Sequence, residues 1–453
     1  MTSHWLPVLI AIPIAGGVLA PVFSRRTASV WGLGVLAATL GVALGLTGLL
    51  ADGVISYPMG GWPVPFGIEL RFDVLSAFAT AVALISALAI WFSSGSQGRV
   101  TSPEGIAVLL LCAGGMVGFL LAADYFTLFV FLEILSISAY GMVAMSDERG
   151  AGIAAFRYLL MGAAASIVIL LSVGLLYTLT GSLNMGDVRL RLPDGGLPLY
   201  LALGGFTAGF LLKAAAFPLH VWLPDAHATA PSAVSAILSG LVVKMGVIGL
   251  LRTPGLDQLH ELLLWIGAAS LLGGALFALV QDDLKRLLAY STVSNIGLIV
   301  LGLALHRTGA TIHILNHAVV KAALFLAAGA FIHRAGSRAL EGIGRSMPVT
   351  TAAFAVGAMA VIGIPPTAGF TGKWLVTLGA LDAGRPVFAV ILLLSSLILA
   401  LCYARFLVAL TFRPARADIR EAPVRMLVPI LLLVALSLVL GLVGGRLAEF
   451  VGF

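Results

Sequence analysis

Fourteen stretches of mostly apolar residues, each about 20 residues long and so able to cross a bilayer as a helix, follow one another along this chain. They lie at 5–23, 30–50, 73–92, 105–122, 125–145, 157–179, 198–217, 232–251, 259–280, 288–305, 309–332, 350–380, 386–410 and 426–444. Little is left for a domain outside the membrane. Only 10% of the 453 residues are charged, against about 25% in a soluble domain. That scarcity excludes a soluble enzyme, a disordered scaffold and a nucleic-acid-binding domain; the net charge of +6 is spread thinly and forms no basic run. Cys112 and Cys402 lie in apolar stretches without CxxC spacing, which supports neither a disulfide framework nor a zinc site. The first stretch lacks a basic leader segment and reads as a retained helix rather than a cleaved signal. The expected fold class is an all-α polytopic membrane protein.

Basic residues set orientation. With fourteen spans both termini share one face. The opposite face collects fourteen basic residues, among them Arg25, Arg26, Lys285, Arg286 and Arg416, against seven on the termini's face, among them Arg71, Arg189, Arg252 and Arg307. The termini are therefore expected outside the cytoplasm. The longest outer loops, 51–72 and 180–197, are rich in Gly and Pro and should form turns or small hairpins.

Two spans are not ordinary helices. Residues 211–231 carry Pro218, Pro224 and Pro231; residues 362–373 carry Pro365, Pro366 and Gly369. Proline removes a backbone donor and breaks a helix, and broken backbone at membrane depth survives only where protein or a wet cavity satisfies it. The breaks fall in the seventh and twelfth spans, which cross in opposite directions. Their five-span separation predicts two inverted five-helix repeats, an arrangement that places a transport site near the midplane.

An ionisable group in mid-span costs about 2.5–3.5 kcal/mol by insertion scales, and those that persist face a bundle interior or a wet cavity. Glu133 sits mid-span. Asp124, at the mouth of the same helix, reads as a helix-start carboxylate or as part of a polar path. Of the 26 basic residues only five are lysines, and four of these are intramembrane: Lys213 before the first break, Lys244 and Lys321 in mid-span, and Lys373 after the second break. Lysine can give up its proton when buried, whereas arginine cannot; lysines in the core and arginines in the loops suit a proton relay. Lys285 lies at the inner face, where the orientation rule suffices to explain it.

His313, Asn316, His317 and Lys321 recur at helical spacing and share one face. Two histidines one turn apart could bind a metal, but no third ligand accompanies them and Lys321 would repel a cation, so a wet polar stripe or ordinary interhelical hydrogen bonding is the better reading. His220 and His227, in the first break, could gate a half-channel or satisfy loop backbone. No GxSxG elbow, phosphate loop or Cys₄ cluster is present. No cofactor and no metal are expected, and any redox or nucleotide energy must come from a partner subunit.

The stretches FPLHVWLPDAHATAPSAVSAILSGLVVKMG, DLKRLLAYSTVSNIG, LNHAVVKAALFLAAGA and GIPPTAGFTGKW resemble the antiporter-like subunits shared by respiratory complex I and Mrp-type multisubunit cation/proton antiporters. The resemblance runs from about Asp124 to Trp374. It implies two inverted repeats, each with a half-channel, and a lateral row of charged groups along the midplane. Glu133 matches the family's glutamate of the fifth span, and Lys213 the lysine of the broken seventh helix with which that glutamate pairs. Lys244 matches the connecting lysine of the eighth span and Lys373 the terminal lysine of the broken twelfth. A glutamate at the last position marks some relatives; lysine here disfavours the chain M type of complex I. The segment YPMGGWPVPFGIELRFDVLSAF looks most like the D-type member of the Mrp antiporters, with a complex I chain N-like or membrane hydrogenase subunit as the alternative.

The resemblance implies a transporter subunit that relays protons, coupled to Na⁺ or K⁺ in an antiporter, and not a self-sufficient enzyme. Its partners would be the lipid bilayer and other subunits of a membrane complex, in a bacterial inner membrane. The expected organisation is an N-terminal three-helix segment (1–104), a first repeat (105–251), a second repeat (252–410) and a last loop and helix (411–453). A structural or assembly subunit with an inactive channel is the remaining alternative.

Overall fold

The structure, a computed structural model, describes residues 2–96, 99–338, 340–414 and 419–452; Arg416 lies outside them. The N-terminal part comprises α1 (Trp5–Leu19), α2 (Arg25–Gly48), the strands β1 (Ile55–Pro58) and β2 (Glu69–Phe72), and α3 (Ala79–Ser96). The strands pair antiparallel, Ile55 opposite Phe72, so the Gly/Pro-rich loop 51–72 forms the expected hairpin. Then come α4 (Pro103–Leu121), α5 (Tyr125–Ala144), α6 (Ala151–Thr180) and the short α7 (Met185–Arg191). The first broken span is α8 (Leu197–Lys213) and α9 (Leu223–Thr229). The eighth consists of α10 (Ser232–Ile237), a single π turn (Leu238–Val242) and α11 (Val243–Leu251). There follow α12 (His260–Leu279), α13 (Leu284–Leu305), α14 (Arg307–Ala335) and α15 (Ile343–Ser346). The second broken span is α16 (Pro348–Ile362) and α17 (Ala368–Asp382), followed by α18 (Pro386–Thr411), α19 (Val424–Leu442) and α20 (Gly444–Val451).

Among the described residues twelve helices are long and apolar enough to cross a membrane. Two shorter apolar helices, Leu197–Lys213 and Pro348–Ile362, are the first halves of the broken spans. Together these are the fourteen expected crossings, and the chain is a multi-pass membrane protein.

Local chemistry sets the ends of these helices. Ser102 caps α4 by accepting from the Gly105 N–H at 3.0 Å, Asp283 caps α13 through Arg286 N–H at 2.9 Å, and Gly181, Gly336 and Gly363 end α6, α14 and α16 in the left-handed conformation. Burial sorts the helices by role. The eighth span, α13 and α14 are buried on nearly every face, whereas α2, α6, α18 and α19 present broad apolar faces outward. A helix apolar all round is stable at the centre of a bundle or against lipid; here the central ones also carry Lys244, Lys321, His313, Asn316 and His317. Glycines bring these central helices together. A Cβ on Gly240 would stand 3.0 Å from the Ala318 carbonyl, and one on Gly246 would stand 2.8 Å from Ala214 Cα. The helices carrying Lys213 and Lys244 therefore meet backbone to backbone.

Candidate functional site

α8 ends at Lys213, five residues before Pro218, so the proline does not itself terminate it. The chain turns at Ala215, whose φ of +57° is the one positive φ of a non-glycine among the described residues. Pro224 lies in the first turn of α9 and Pro231 at the N-cap of α10, where a missing N–H costs no helical bond. The backbone freed at the break is satisfied by side chains from around it. Trp222 Nε1 donates to the Leu212 carbonyl at 3.1 Å, its ring stacked on Tyr158 at 4.0 Å. The Phe217 N–H donates to Ser270 Oγ at 3.1 Å. Lys285 Nζ donates to the Ala230 carbonyl at 2.7 Å, and Arg338 donates to that of Ala228.

Lys213 Nζ projects from this break onto one face of α5. It donates to Ser136 Oγ at 2.8 Å and Tyr140 Oη at 3.3 Å, with Glu133 Oε1 at 3.6 Å. Glu133, Ser136 and Tyr140 stand at i, i+3 and i+7, the spacing of one helical stripe. Glu133 also accepts from Ser166 Oγ of α6. The lysine side chain is 7% exposed and the glutamate 32%, so the pair spans from the protein interior to the outer surface of α5.

Lys244 is wholly buried, and its Nζ donates to the Ser239 carbonyl within the π turn. Ser239 Oγ pairs with Thr292 Oγ1 of α13 at 2.7 Å. Lys321 Nζ donates to the Leu288 carbonyl at 2.6 Å and to Ser291 Oγ at 2.7 Å; Ser291 in turn meets Tyr403 Oη at 2.9 Å. His313 Nε2 meets Asn295 Oδ1 at 3.0 Å, and Asn316 donates to the Ala368 carbonyl. The rings of His313 and His317 stack at 5.7 Å. Among the described residues neither ring nitrogen of His317 or His227 has a hydrogen-bond partner, although both residues are buried. His317 lies within electrostatic range of Lys244, Lys321 and Lys373, and His227 within range of Lys244, Lys285 and Lys321. Three of the four intramembrane lysines thus gather around α14.

At the second break Gly363 ends α16 with φ +93°. Lys373 reaches back across it: Nζ donates to the Ile362 carbonyl at 2.9 Å and to Ser396 Oγ at 3.0 Å. Gly369, expected among the helix-breaking residues, is not one of them; it lies inside α17 with ordinary helical backbone. Its missing side chain instead lets α17 press against the Ala360 carbonyl, and the break itself is residues 363–367, which contain Pro365 and Pro366. Gly372 plays the same packing role against α14, since a Cβ there would stand 2.7 Å from His313 Cβ.

Gly363 yields a direct test of this corner. A Cβ there would stand 2.7 Å from Lys373 Cδ and would have to adopt a left-handed backbone, a conformation costing an L-residue about 1–2 kcal/mol. Gly363→Ala is expected to lower the melting temperature of the purified protein. Gly34→Ala, where a Cβ meets nothing within 4 Å, should leave it unchanged or raise it.

The other expected site residues stand apart from the lysines. Asp124 caps α5, accepting from the Thr127 N–H at 2.7 Å; burial pushes its carboxyl above the usual range, opposed by that bond. His220 packs among Phe217, Phe277 and Tyr290, with ring centroids 5.4–5.9 Å away. Lys285, read from the sequence as a face marker, is 5% exposed and clamps the first break. Among the described residues no group of three or more His, Cys, Asp or Glu is placed to hold a metal ion.

A family model described as NADH:quinone oxidoreductase/Mrp antiporter, TM, matches residues 122–399, which contain both breaks and all five lysines. The chain is 38% identical to NADH-quinone oxidoreductase subunit N of Desulforudis audaxviator, over 98% of its own length and 96% of the relative's. It is 28% identical to the D component of the Na(+)/H(+) antiporter of Bacillus subtilis, over 87% of its length and 83% of the relative's. Among solved structures it is similar to a chain in the Mrp complex from Dietzia sp. DQ12-45-1b, with a TM-score of 0.93 and 26% identity, over 99% of this chain and 96% of that one.

Proposed function

The chain belongs to the NADH:quinone oxidoreductase/Mrp antiporter family, and from that membership we propose that it is a proton-translocating subunit of a multisubunit membrane complex. The observation that carries the proposal is the Lys213 site, an ammonium at a helix break shared by Glu133, Ser136 and Tyr140. With Glu133 ionised and close, Lys213 keeps its proton. When the two separate, the ammonium loses its counter-charge in a low-dielectric site and passes the proton toward Lys244. The path then follows α14 through Lys321, His317 and His313 to Lys373. In this reading residues 105–251 and 252–410 are the two repeats, the termini lie outside the cytoplasm of a bacterial inner membrane, and Asp124, His220 and His227 support the path without carrying it.

Partner subunits supply the driving energy. Glu133 is 32% exposed at mid-span, where a charge facing lipid is costly, and a neighbouring subunit covering it removes that cost. Identity of 38% across nearly the whole of subunit N supports a NADH-quinone oxidoreductase type of complex. The second reading, exchange of protons for Na⁺ or K⁺, is supported by the TM-score of 0.93 with a chain of an Mrp complex.

The test is proton movement by the intact complex in proteoliposomes, followed with a pH-sensitive dye. A gradient raised by NADH and quinone supports the first reading, and one collapsed by Na⁺ or K⁺ supports the second. If Lys213→Ala complexes move protons at the native rate under either drive, the chain is a structural subunit and the relay is refuted.

A further inference from the structure

Away from the lysine path, on the face that carries both termini, a cavity of about 460 Å³ opens among the ends of α4, α5, α11 and α14. Its size falls in the range of about 300–1,000 Å³ of small-molecule sites. Backbone bonds fix part of its wall: Ala123 N–H donates to the Glu69 carbonyl at 3.1 Å, and Met185 N–H to that of Ala123 at 2.9 Å. Four arginines and two carboxylates line it: Arg71, Arg189, Arg252, Arg307, Glu69 and Asp73.

The two carboxylates are already engaged. Glu69 accepts from Ser56 Oγ at 2.5 Å and Asn184 Nδ2 at 2.9 Å. Asp73 accepts from the Ser76 N–H at 2.8 Å and Ser76 Oγ at 2.9 Å, with Arg252 3.6 Å away. Arg252 spends its donors on the carbonyls of Phe119, Leu120 and Ala122, closing the end of α4. Arg307 pairs with Asp257. Arg71 and Arg189 have no carboxylate within ion-pair distance among the described residues, and both are exposed. The cavity therefore holds an excess of positive charge with two planar donor forks free, the arrangement that recognises phosphate oxygens two at a time.

We propose that this cavity is an anion site that takes a phosphate group through Arg71 and Arg189, supplied either by the headgroup of an anionic lipid or by free phosphate. The helix ends around it place the arginines at headgroup level, where long basic side chains meet lipid phosphates. The site is independent of the proton path, and its test does not depend on proton transfer.

The full-length chain is purified in a maltoside detergent, which carries no phosphate. Phosphatidylglycerol is added and bound lipid counted by native mass spectrometry; in parallel, labelled inorganic phosphate is measured by equilibrium dialysis. Saturable binding of one phosphatidylglycerol, with phosphate binding absent, identifies a lipid site; saturable phosphate binding identifies a free-anion site. In either case Arg71→Gln/Arg189→Gln should weaken binding on the order of 100-fold, as expected for two lost charged hydrogen-bonding groups. Arg446→Gln, on the same face in α20, should leave it unchanged. Melting temperatures of the variants keep a folding defect separate from lost binding. The proposal is overturned if neither probe binds saturably, if the double variant binds as the native chain does, or if Arg446→Gln weakens binding equally.

Discussion

Lys213→Arg is expected to leave the protein folded and to stop proton transfer, a fall on the order of 10²-fold or more in the proteoliposome assay. Arginine keeps the positive charge at the end of α8 and can still donate to Ser136 Oγ, Tyr140 Oη and Glu133, all within 3.6 Å of the native ammonium. Its planar fork suits a carboxylate better than an ammonium does, so the ion pair should persist or tighten. What arginine cannot do is release the proton, because it stays charged at every pH a protein survives. The melting temperature should therefore remain near the native one while flux disappears. Native flux in this variant would reduce Lys213 to a source of fixed charge and remove the relay's first step.

Lys244→Met separates function from stability more sharply. The native amino group is wholly buried, and its hydrogen bond is to the Ser239 carbonyl, with no carboxylate paired to it among the described residues. Methionine nearly matches the aliphatic stem and carries no charge. Even a buried ion pair can be replaced by well-packed apolar side chains with a neutral or stabilising effect of about 1–4 kcal/mol, and a lysine without a carboxylate partner has less to lose. The variant should melt at or above the native temperature and lose proton transfer by on the order of 10²-fold. A variant that is stabilised yet inactive would show that the lysine is retained for what it carries. One that loses stability and keeps flux would assign Lys244 a structural role only.

The features legible in the amino-acid sequence were those that are expensive in a membrane. Glu133, Lys213, Lys244, Lys321 and Lys373 announce themselves because a charge in an apolar stretch needs a reason, and the structure buries all four of these lysines. Prolines marked the two breaks for the same reason. The partners were not legible. Ser136 and Tyr140 sit on the Glu133 stripe and could have been proposed from spacing alone, but nothing singles them out. Ser172 shows why: its hydroxyl donates to the Val168 carbonyl one turn back, at 2.9 Å, and a hydroxyl satisfied that cheaply leaves no signature. Lys285 stands at the end of a span, where a surface lysine and a buried clamp look alike until Ala230 is placed beside it. Gly369 misled for the converse reason, since a glycine near prolines looks like part of a turn when it in fact marks a close helix contact.

The π turn at Leu238–Val242 has a consequence for how this span can change over time. Each residue of a regular helix advances the side chains by about 100°, so one extra residue would swing everything beyond it unless the helix took it up locally. The π turn does so, with hydrogen bonds reaching one residue further than in an α turn, and Lys244 and Gly246, whose bare face admits the backbone at Ala214, keep their bearing beyond it. Closing the turn by losing one residue would leave that bearing nearly as it is but remove the widened backbone whose Ser239 carbonyl accepts from Lys244 Nζ. In descendants of this chain a deletion inside the turn is thus a change to the lysine's hydrogen-bond partner rather than to the direction in which the helix presents it.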